Sequence, residues 1–143
     1  NSSGMGDTSG LYRGVMAQNI AFMDRFIVTK VQYIDAVDEE KILAQNVSKM
    51  PKKLREKLVE VANAIRKQFL GESGSGLDGQ LSITMSTRTL VRWATLSFEF
   101  RQHPTPLQYA LELALTNRAA PEEEEAILQI ASGILGDQWL GVK

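Results

Sequence analysis

Apolar residues recur every three or four positions over most of the chain after residue 35, which predicts a set of amphipathic helices. The clearest run lies between Pro51 and Gly71. Start and stop signals bound the helices: Asp35 or Asp38 as a cap, prolines at first positions and Gly136 as a stop. The apolar positions of these helices are Ile42 and Leu43; Leu54, Leu58, Val61, Ala62, Ile65 and Phe69; Leu107, Ala110, Leu111 and Ala114; and Ile127, Ile130, Ala131 and Ile134.

Two segments have a strand-like pattern instead. Residues 25–34, "RFIVTKVQYI", are rich in β-branched and aromatic side chains, and residues 81–85 alternate apolar with polar. A helix is predicted from Leu11 to Met23, and another from Thr87 to Arg101 with Ser86 as its N-cap. The fold class expected is mainly α, with a short strand or hairpin near Leu81.

Composition excludes several classes of function. The 143 residues contain no cysteine and one histidine, so disulfides, thiolate chemistry and a histidine-based metal site are ruled out. A net charge of -1 gives no general affinity for nucleic acid or anionic membranes. No apolar run approaches the roughly 20 residues that cross a bilayer. A cytoplasmic location is the default expectation.

Four local motifs have simpler explanations than chemistry. "GSGLDG", residues 74–79, follows a helix and precedes a strand, which is the reverse of a dinucleotide-binding motif. The basic run "KMPKKLREKL", residues 49–58, lacks aromatic residues, so a solvated helix face is favoured over a nucleic-acid site. The acidic run at residues 122–125 suits the first turn of a helix, and His103 lies alone in a turn.

Arg88 is harder to explain. It lies in the first turn of the helix that begins at Thr87, where the helix dipole disfavours a cation. An ordinary surface arginine is one interpretation. A second is that the side chain meets an anion, which a helix N-terminus binds well.

Two stretches, "GDTSGLYRGVMAQNIAFMDRF" at residues 6–26 and "STRTLVRWA" at residues 86–94, resemble MoxR-type AAA+ ATPases, most closely the ATPase subunits of cobaltochelatases. The resemblance covers about residues 1–100. It implies that residues 1–35 are the end of an α/β nucleotide-binding core, with its last helix and strand, and that residues 36–143 are an α-helical lid.

The resemblance also implies roles for three residues. Arg25 matches the arginine finger, which reaches the nucleotide of a neighbouring subunit, and Arg88 matches sensor 2, which contacts the γ-phosphate of its own subunit. Asn1 matches the end of sensor 1. The implied partners are the other subunits of a hexameric ring and an unknown protein client. The implied cofactors, in a full-length parent, are ATP and Mg²⁺.

One part of the family pattern is missing. The chain has no G-x-x-x-x-G-K-[ST] phosphate loop, so we expect it to bind no cofactor and to hydrolyse no ATP by itself. The start without methionine is what a cloned domain or a proteolytic product of an AAA+ protein would show. The alternative is a stand-alone helical adaptor that binds a partner through an apolar groove.

Overall fold

The structure of the protein is a computed structural model that describes residues 19–27, 29, 31–71 and 81–140. The chain divides into two compact units, Asn1–Gln32 and Tyr33–Lys143. Within the described residues, all regular secondary structure is helical. The predicted mainly α fold class is therefore confirmed.

In its described residues, the unit Asn1–Gln32 contains one short helix, α1, at Ile20–Met23. The side chain of Asn19 caps it by accepting a hydrogen bond from Ala21 N at 2.8 Å. The chain then turns, and the rings of Phe22 and Phe26 meet with their centroids 4.9 Å apart. The rest of the predicted helix Leu11–Met23, residues 11–18, lies outside the described residues, as does Asn1.

The unit Tyr33–Lys143 is a bundle of five helices within its described residues. These are α2 (Ala36–Asn46), α3 (Lys52–Phe69), α4 (Thr87–Glu99), α5 (Pro106–Ala114) and α6 (Pro121–Leu135), with short 3₁₀ turns at Thr116–Arg118 and Gly136–Leu140. Most of the caps follow the sequence signals. Asp35 caps α2, Ser86 caps α4, and Gly136 ends α6 with a φ of 56° that favours glycine.

Helix α3 lies at the centre of the bundle and packs against α2, α4 and α6. The apolar face predicted for it is buried: Leu58, Val61, Ala62 and Ile65 are fully inaccessible to solvent. Helices α4 and α5 form a hairpin in which buried Trp93 donates its Nε1–H to the carbonyl of Leu107 at 2.9 Å. This core supports the start of α4.

Neither predicted strand is present in the described residues. Residues 81–86 are irregular, with a bend at Ser82, and pair with no strand of the described residues, so the predicted short strand or hairpin near Leu81 is wrong. The described residues between Phe26 and Ile34 are also irregular. The physical reason is that a strand needs a ladder partner, and the described part of the chain offers none. Arg25 correspondingly lies in the turn after α1, where its N–H donates to Phe22 O at 3.2 Å.

Candidate functional site: the amino-terminal end of α4

Arg88 is the second residue of α4 and its side chain is exposed. The helix begins there because Ser86 adopts an extended backbone, with φ -73° and ψ 160°, and its hydroxyl accepts the N–H of Thr89 at 3.1 Å. This capping bond satisfies one of the helix's free N–H groups and leaves others near Arg88 available to an anion.

A buried ion pair lies beneath this helix end. Arg66 of α3 and Glu39 of α2 are 3% and 0% exposed, and they form two parallel hydrogen bonds of 2.7 Å. Asn63 Oδ1 accepts a third bond from Arg66 Nη1 at 2.9 Å. A bidentate pair of this kind fixes both side chains in one geometry.

The same pair anchors the start of α4 on both sides of Ser86. Arg66 Nε donates to the carbonyl of Met85 at 2.7 Å, and the hydroxyl of Thr87 donates to Glu39 Oε1 at 2.7 Å. Because the residues just before Arg88 are held by buried groups, the position of its Cα is set by α2 and α3. The side chain of Arg88 itself is left to solvent.

Tyr33 connects this network to the segment that leads into α2. Its ring lies against the guanidinium of Arg66, 4.4 Å from the centroid, and its hydroxyl is 3.3 Å from Thr84 Oγ1. A cation–π contact thus joins Tyr33 to α3, and a hydrogen bond joins it to Thr84, 51 positions later in the chain. A movement of the segment before α2 would therefore change the contacts that hold the start of α4.

Glu123 of α6 holds the far end of the irregular segment 81–86. Its carboxylate accepts hydrogen bonds from the N–H and the hydroxyl of Ser82 and from the N–H of Ala120. Burial alone would raise the pKa of Glu123, but these hydrogen bonds to the charged form outweigh it and lower the pKa from its ordinary value. One residue of the acidic run at 122–125 therefore has a structural role.

Arg92 lies one helical turn after Arg88 and is also exposed. Like charges at this spacing repel by about 0.2–0.5 kcal/mol. Among the residues that the structure describes, neither arginine forms an ion pair or a side-chain hydrogen bond. The surface of α4 thus presents two uncompensated cations next to the positive end of a helix, which is an arrangement that an anion would stabilise.

The three predicted site residues lie in different parts of the chain. Arg88 lies on the surface just defined. Arg25 is exposed in the other unit, in the turn after α1, without an ion pair among the described residues. Asn1 lies outside the described residues, as does the glycine-rich stretch 74–79.

Three of the five cations in the basic run at residues 49–58 have partners within the described residues. Arg55 pairs with Glu40 at 2.8 Å and donates to the carbonyl of Met50, and Lys57 donates to Leu135 O at 3.2 Å. Lys52 lies 3.7 Å from Glu56. These contacts are what a helix face uses for its own stability.

Sequence reasoning missed Glu39, Arg66 and Thr87. A signal was available for the first two. Glu39 lies four residues before buried Leu43, and Arg66 lies three residues before buried Phe69, so both occupy the apolar faces of their helices. A charged residue at such a position needs a buried partner of opposite sign, and each of these supplies the other's.

Two further properties of the described residues limit the chemistry. They contain no group of histidine and acidic side chains placed to hold a metal ion. None of their helices is long and apolar enough to cross a membrane.

Comparison with known proteins identifies the class. The model of the CbbQ/NirQ/NorQ C-terminal family matches residues 39–134, which include α4 and the buried pair, and the chain belongs to this family. This confirms the resemblance to the C-terminal region of MoxR-type AAA+ ATPases.

The chain is also similar to a curated protein. The chain is 40% identical over 99 residues to the aerobic cobaltochelatase subunit CobS of a Sinorhizobium species. The match covers 66% of this chain and 28% of that protein, so the chain spans well under a third of its relative's length. No solved structure matches the chain.

Proposed function

We propose that the chain is the C-terminal part of an AAA+ ATPase that couples ATP hydrolysis to the remodelling or maturation of a partner protein. In this proposal Arg88 is the sensor 2 arginine and contacts the γ-phosphate bound by its own subunit. The observation that carries the proposal is the contrast at the start of α4. The backbone beside Arg88 is held by buried hydrogen bonds, whereas its side chain is exposed and unpaired among the described residues.

The chemistry of phosphoryl transfer explains why such an arginine is useful. Negative charge is spread over the γ-phosphate oxygens during transfer, and positioned cations stabilise it. A guanidinium on a fixed helix end loses less freedom when it binds than one on a mobile loop. The exposed N-terminus of α4 adds a favourable dipole to the same anion.

Arg25 is proposed as the arginine finger, acting on the nucleotide of the neighbouring subunit, and Asn1 as the end of sensor 1. Support for Arg25 comes from the "DRF" motif and from its exposure in a turn, free of ion pairs among the described residues. The assignment of Asn1 rests on the sequence resemblance alone.

The proposal assigns residues 1–35 to the end of the α/β core and residues 36–143 to the lid. Exposed apolar side chains in the first of these segments fit this division, since Ile27 and Val31 are 97% and 76% exposed and need a surface to cover them. The full-length ATPase would bind ATP and Mg²⁺ through its phosphate loop, form a hexameric ring and work in the cytoplasm. Its client, by analogy with the cobaltochelatase relative, belongs to a metal-insertion or maturation system.

A mixing experiment on the full-length ATPase tests the role of Arg25. Arg25→Ala should reduce turnover by on the order of a thousandfold while nucleotide binding is retained, because the finger acts mainly in the transition state. A variant of the phosphate-loop lysine should also be inactive. Mixed rings of the two variants should regain activity, since each subunit supplies the half that the other lacks. If intact mixed rings stay inactive, Arg25 does not act across the interface.

The role of Arg88 is tested with a matched pair on one helix. Arg88→Ala should slow turnover and weaken the binding of a non-hydrolysable ATP analogue. Arg92→Ala, one turn further along and equally exposed, should have a much smaller effect on both. Equal losses in the two variants would mean that the surface acts only through its general positive charge, and sensor 2 would be wrongly assigned.

Turnover measured on the isolated chain, and turnover and client capture measured on the full-length protein, distinguish the ATPase function from the adaptor function. The 143-residue chain should show no turnover above the buffer blank. If Arg25→Ala and Arg88→Ala leave turnover of the full-length protein unchanged but abolish capture of its client, the adaptor function is correct.

A further inference from the structure

A groove of about 600 Å³ opens on another face of the Tyr33–Lys143 unit. It lies where the loop before α3 meets the end of α4 and the start of α5. Its floor is apolar and consists of Met50, Leu54, Phe98 and Leu107. Met50 and Leu107 are 4% exposed, so the floor belongs to the core and does not depend on mobile side chains.

The walls of the groove are stiff. Three of the four prolines in the chain line it: Pro51, Pro104 and Pro106. Proline fixes φ and carries no N–H, so these walls are preformed and offer no backbone donors at three positions. A preformed site loses less free energy to ordering when a ligand binds.

The two charged side chains that line the groove, Lys49 and Arg101, are both positive. Lys49, Arg101 and His103 line it, and no carboxylate is among its described lining residues. Lys49 has no ion pair among the described residues, and Arg101 donates only to the carbonyl of Phe98, at 3.2 Å. The ring of His103 stacks on Tyr109 with centroids 4.4 Å apart, and its Nδ1 accepts from Thr105 N, so the neutral ring carries its proton on Nε2. All three side chains are therefore donors to an incoming acceptor.

One buried acceptor in the groove is unsatisfied. The Oε1 atom of Gln138 is inaccessible to solvent and has no hydrogen-bond partner among the described residues. Buried carbonyl oxygens of this kind are rare because leaving one unpaired is unfavourable. Once the side chain of Gln138 turns towards the groove, a ligand with an N–H group would supply the missing donor.

We propose that this groove binds an extended, acidic peptide segment of a partner protein. An apolar side chain of the peptide rests on the floor, flanking carboxylates face Lys49 and Arg101, and a main-chain N–H donates to Gln138 Oε1. A peptide satisfies all three features at once, whereas a simple anion leaves the apolar floor unused. This site is separate from Arg88, so the inference goes beyond the proposed ATPase function.

Fluorescence polarisation with the 143-residue chain tests the proposal. The probe is a labelled, terminally blocked peptide Asp-Glu-Leu-Phe-Glu-Asp. It should bind saturably and lose affinity as salt is raised. Peptides with lysine in place of each acidic residue, or with serine in place of Leu and Phe, should each bind at least about tenfold more weakly. Equal binding of the lysine peptide, or no saturable binding of the acidic one, would overturn the proposal.

Matched variants locate the site. Arg101→Glu should weaken binding at least about tenfold, whereas Arg118→Glu, an exposed charge reversal outside the groove, should leave it unchanged. Gln138→Met should also weaken binding while raising thermal stability, because it removes the unpaired acceptor. Since these positions are not fully buried, circular dichroism should show that each variant remains folded. The groove is excluded if Arg101→Glu and Gln138→Met both bind the peptide normally.

Competition separates peptide from nucleic acid. An unlabelled acidic peptide should displace the probe, and a short oligothymidylate at the same concentration should not. Displacement by the oligonucleotide at equal or lower concentration would mean that the basic rim binds phosphates, and the peptide proposal would be wrong.

Discussion

Helices α3 and α4 both begin with positively charged side chains, but the two helices differ in whether those side chains have partners within the fold. The first six residues of α3 include Lys52 and Arg55, which pair with carboxylates at 3.7 and 2.8 Å, and Lys57, which donates to a carbonyl at 3.2 Å. The first six residues of α4 include Arg88 and Arg92, and neither has an acceptor among the described residues. A cation at a helix start costs stability in both cases, but only α3 offsets it internally.

The comparison indicates what to look for in a basic sequence. The run at the start of α3 is denser and looks more like a binding site. Three of the four cations in the first six residues of α3 nevertheless have partners within the fold, and Lys53 alone has none among the described residues. The two arginines of α4 are fewer but uncompensated, and therefore they are the better candidates for an external anion. The basic side chains of the two helices are therefore distinguished by whether they have internal partners, and not by how many there are.

The largest expected effect comes from breaking the anchor of α4. Glu39→Gln leaves Arg66 charged and buried without its partner, which should lower the free energy of unfolding by about 3–5 kcal/mol. Urea denaturation of the 143-residue chain measures this. The double variant Glu39→Gln with Arg66→Met should recover much of the loss, since it removes the stranded charge. A single-variant loss below about 1 kcal/mol would mean that the pair does not hold the helix end.

Breaking the internal partner of α3 should cost less. Glu40 lies next to Glu39 in α2, but its pair with Arg55 is partly exposed, at 16% and 11%. Glu40→Gln should therefore lower the free energy of unfolding by about 1 kcal/mol, and Arg55 keeps its bond to the Met50 carbonyl. The same denaturation experiment compares the two variants directly. Equal losses would show that burial does not distinguish the two pairs.

Acid should weaken the segment before α4 through Glu123. Its pKa is lowered in the folded state, so the stability it contributes is complete above the ordinary value of 4.5 and is lost as pH falls through the lower folded pKa. Glu123→Gln should make the fall of stability below pH 4.5 shallower, by less than about 1 kcal/mol at any pH. Unfolding curves from pH 6 to about pH 3 measure the slope. An unchanged slope would remove Glu123 as its cause.

The smallest effect should have the opposite sign. Arg88→Gln removes an uncompensated charge from the first turn, so it should raise the stability of the isolated chain by about 0.3–0.5 kcal/mol at low salt. Arg92→Gln, beyond the first turn, should give less, and high salt should abolish both gains. Thermal unfolding in two salt concentrations checks this. A loss of stability in Arg88→Gln would reveal an internal partner and break the contrast with α3.

Local signals in the sequence were sufficient for the helices. The 3.6-residue period of α3, the hydroxyl of Ser86 and Gly136 each act within a few residues, so they predict where helices run and where several of them begin or end. The motif "STR" likewise placed Arg88 correctly in the first turn of α4. The same local reasoning failed for residues 81–85, because an alternating pattern indicates only that a segment could join a sheet, and its neighbours decide whether one exists.

Only the tertiary structure determined which charged side chains have partners within the fold and which have none among the described residues. Glu39, Arg66 and Thr87 are far apart in sequence and meet only when α2, α3 and α4 pack together. Hydrogen bonds act over about 3 Å, so a partner 27 or 48 positions away cannot be read from spacing along the chain. The sequence by itself determined that an arginine stands at the start of α4. Only the packing of three helices determined that the backbone beside it is held in place while its side chain stays exposed.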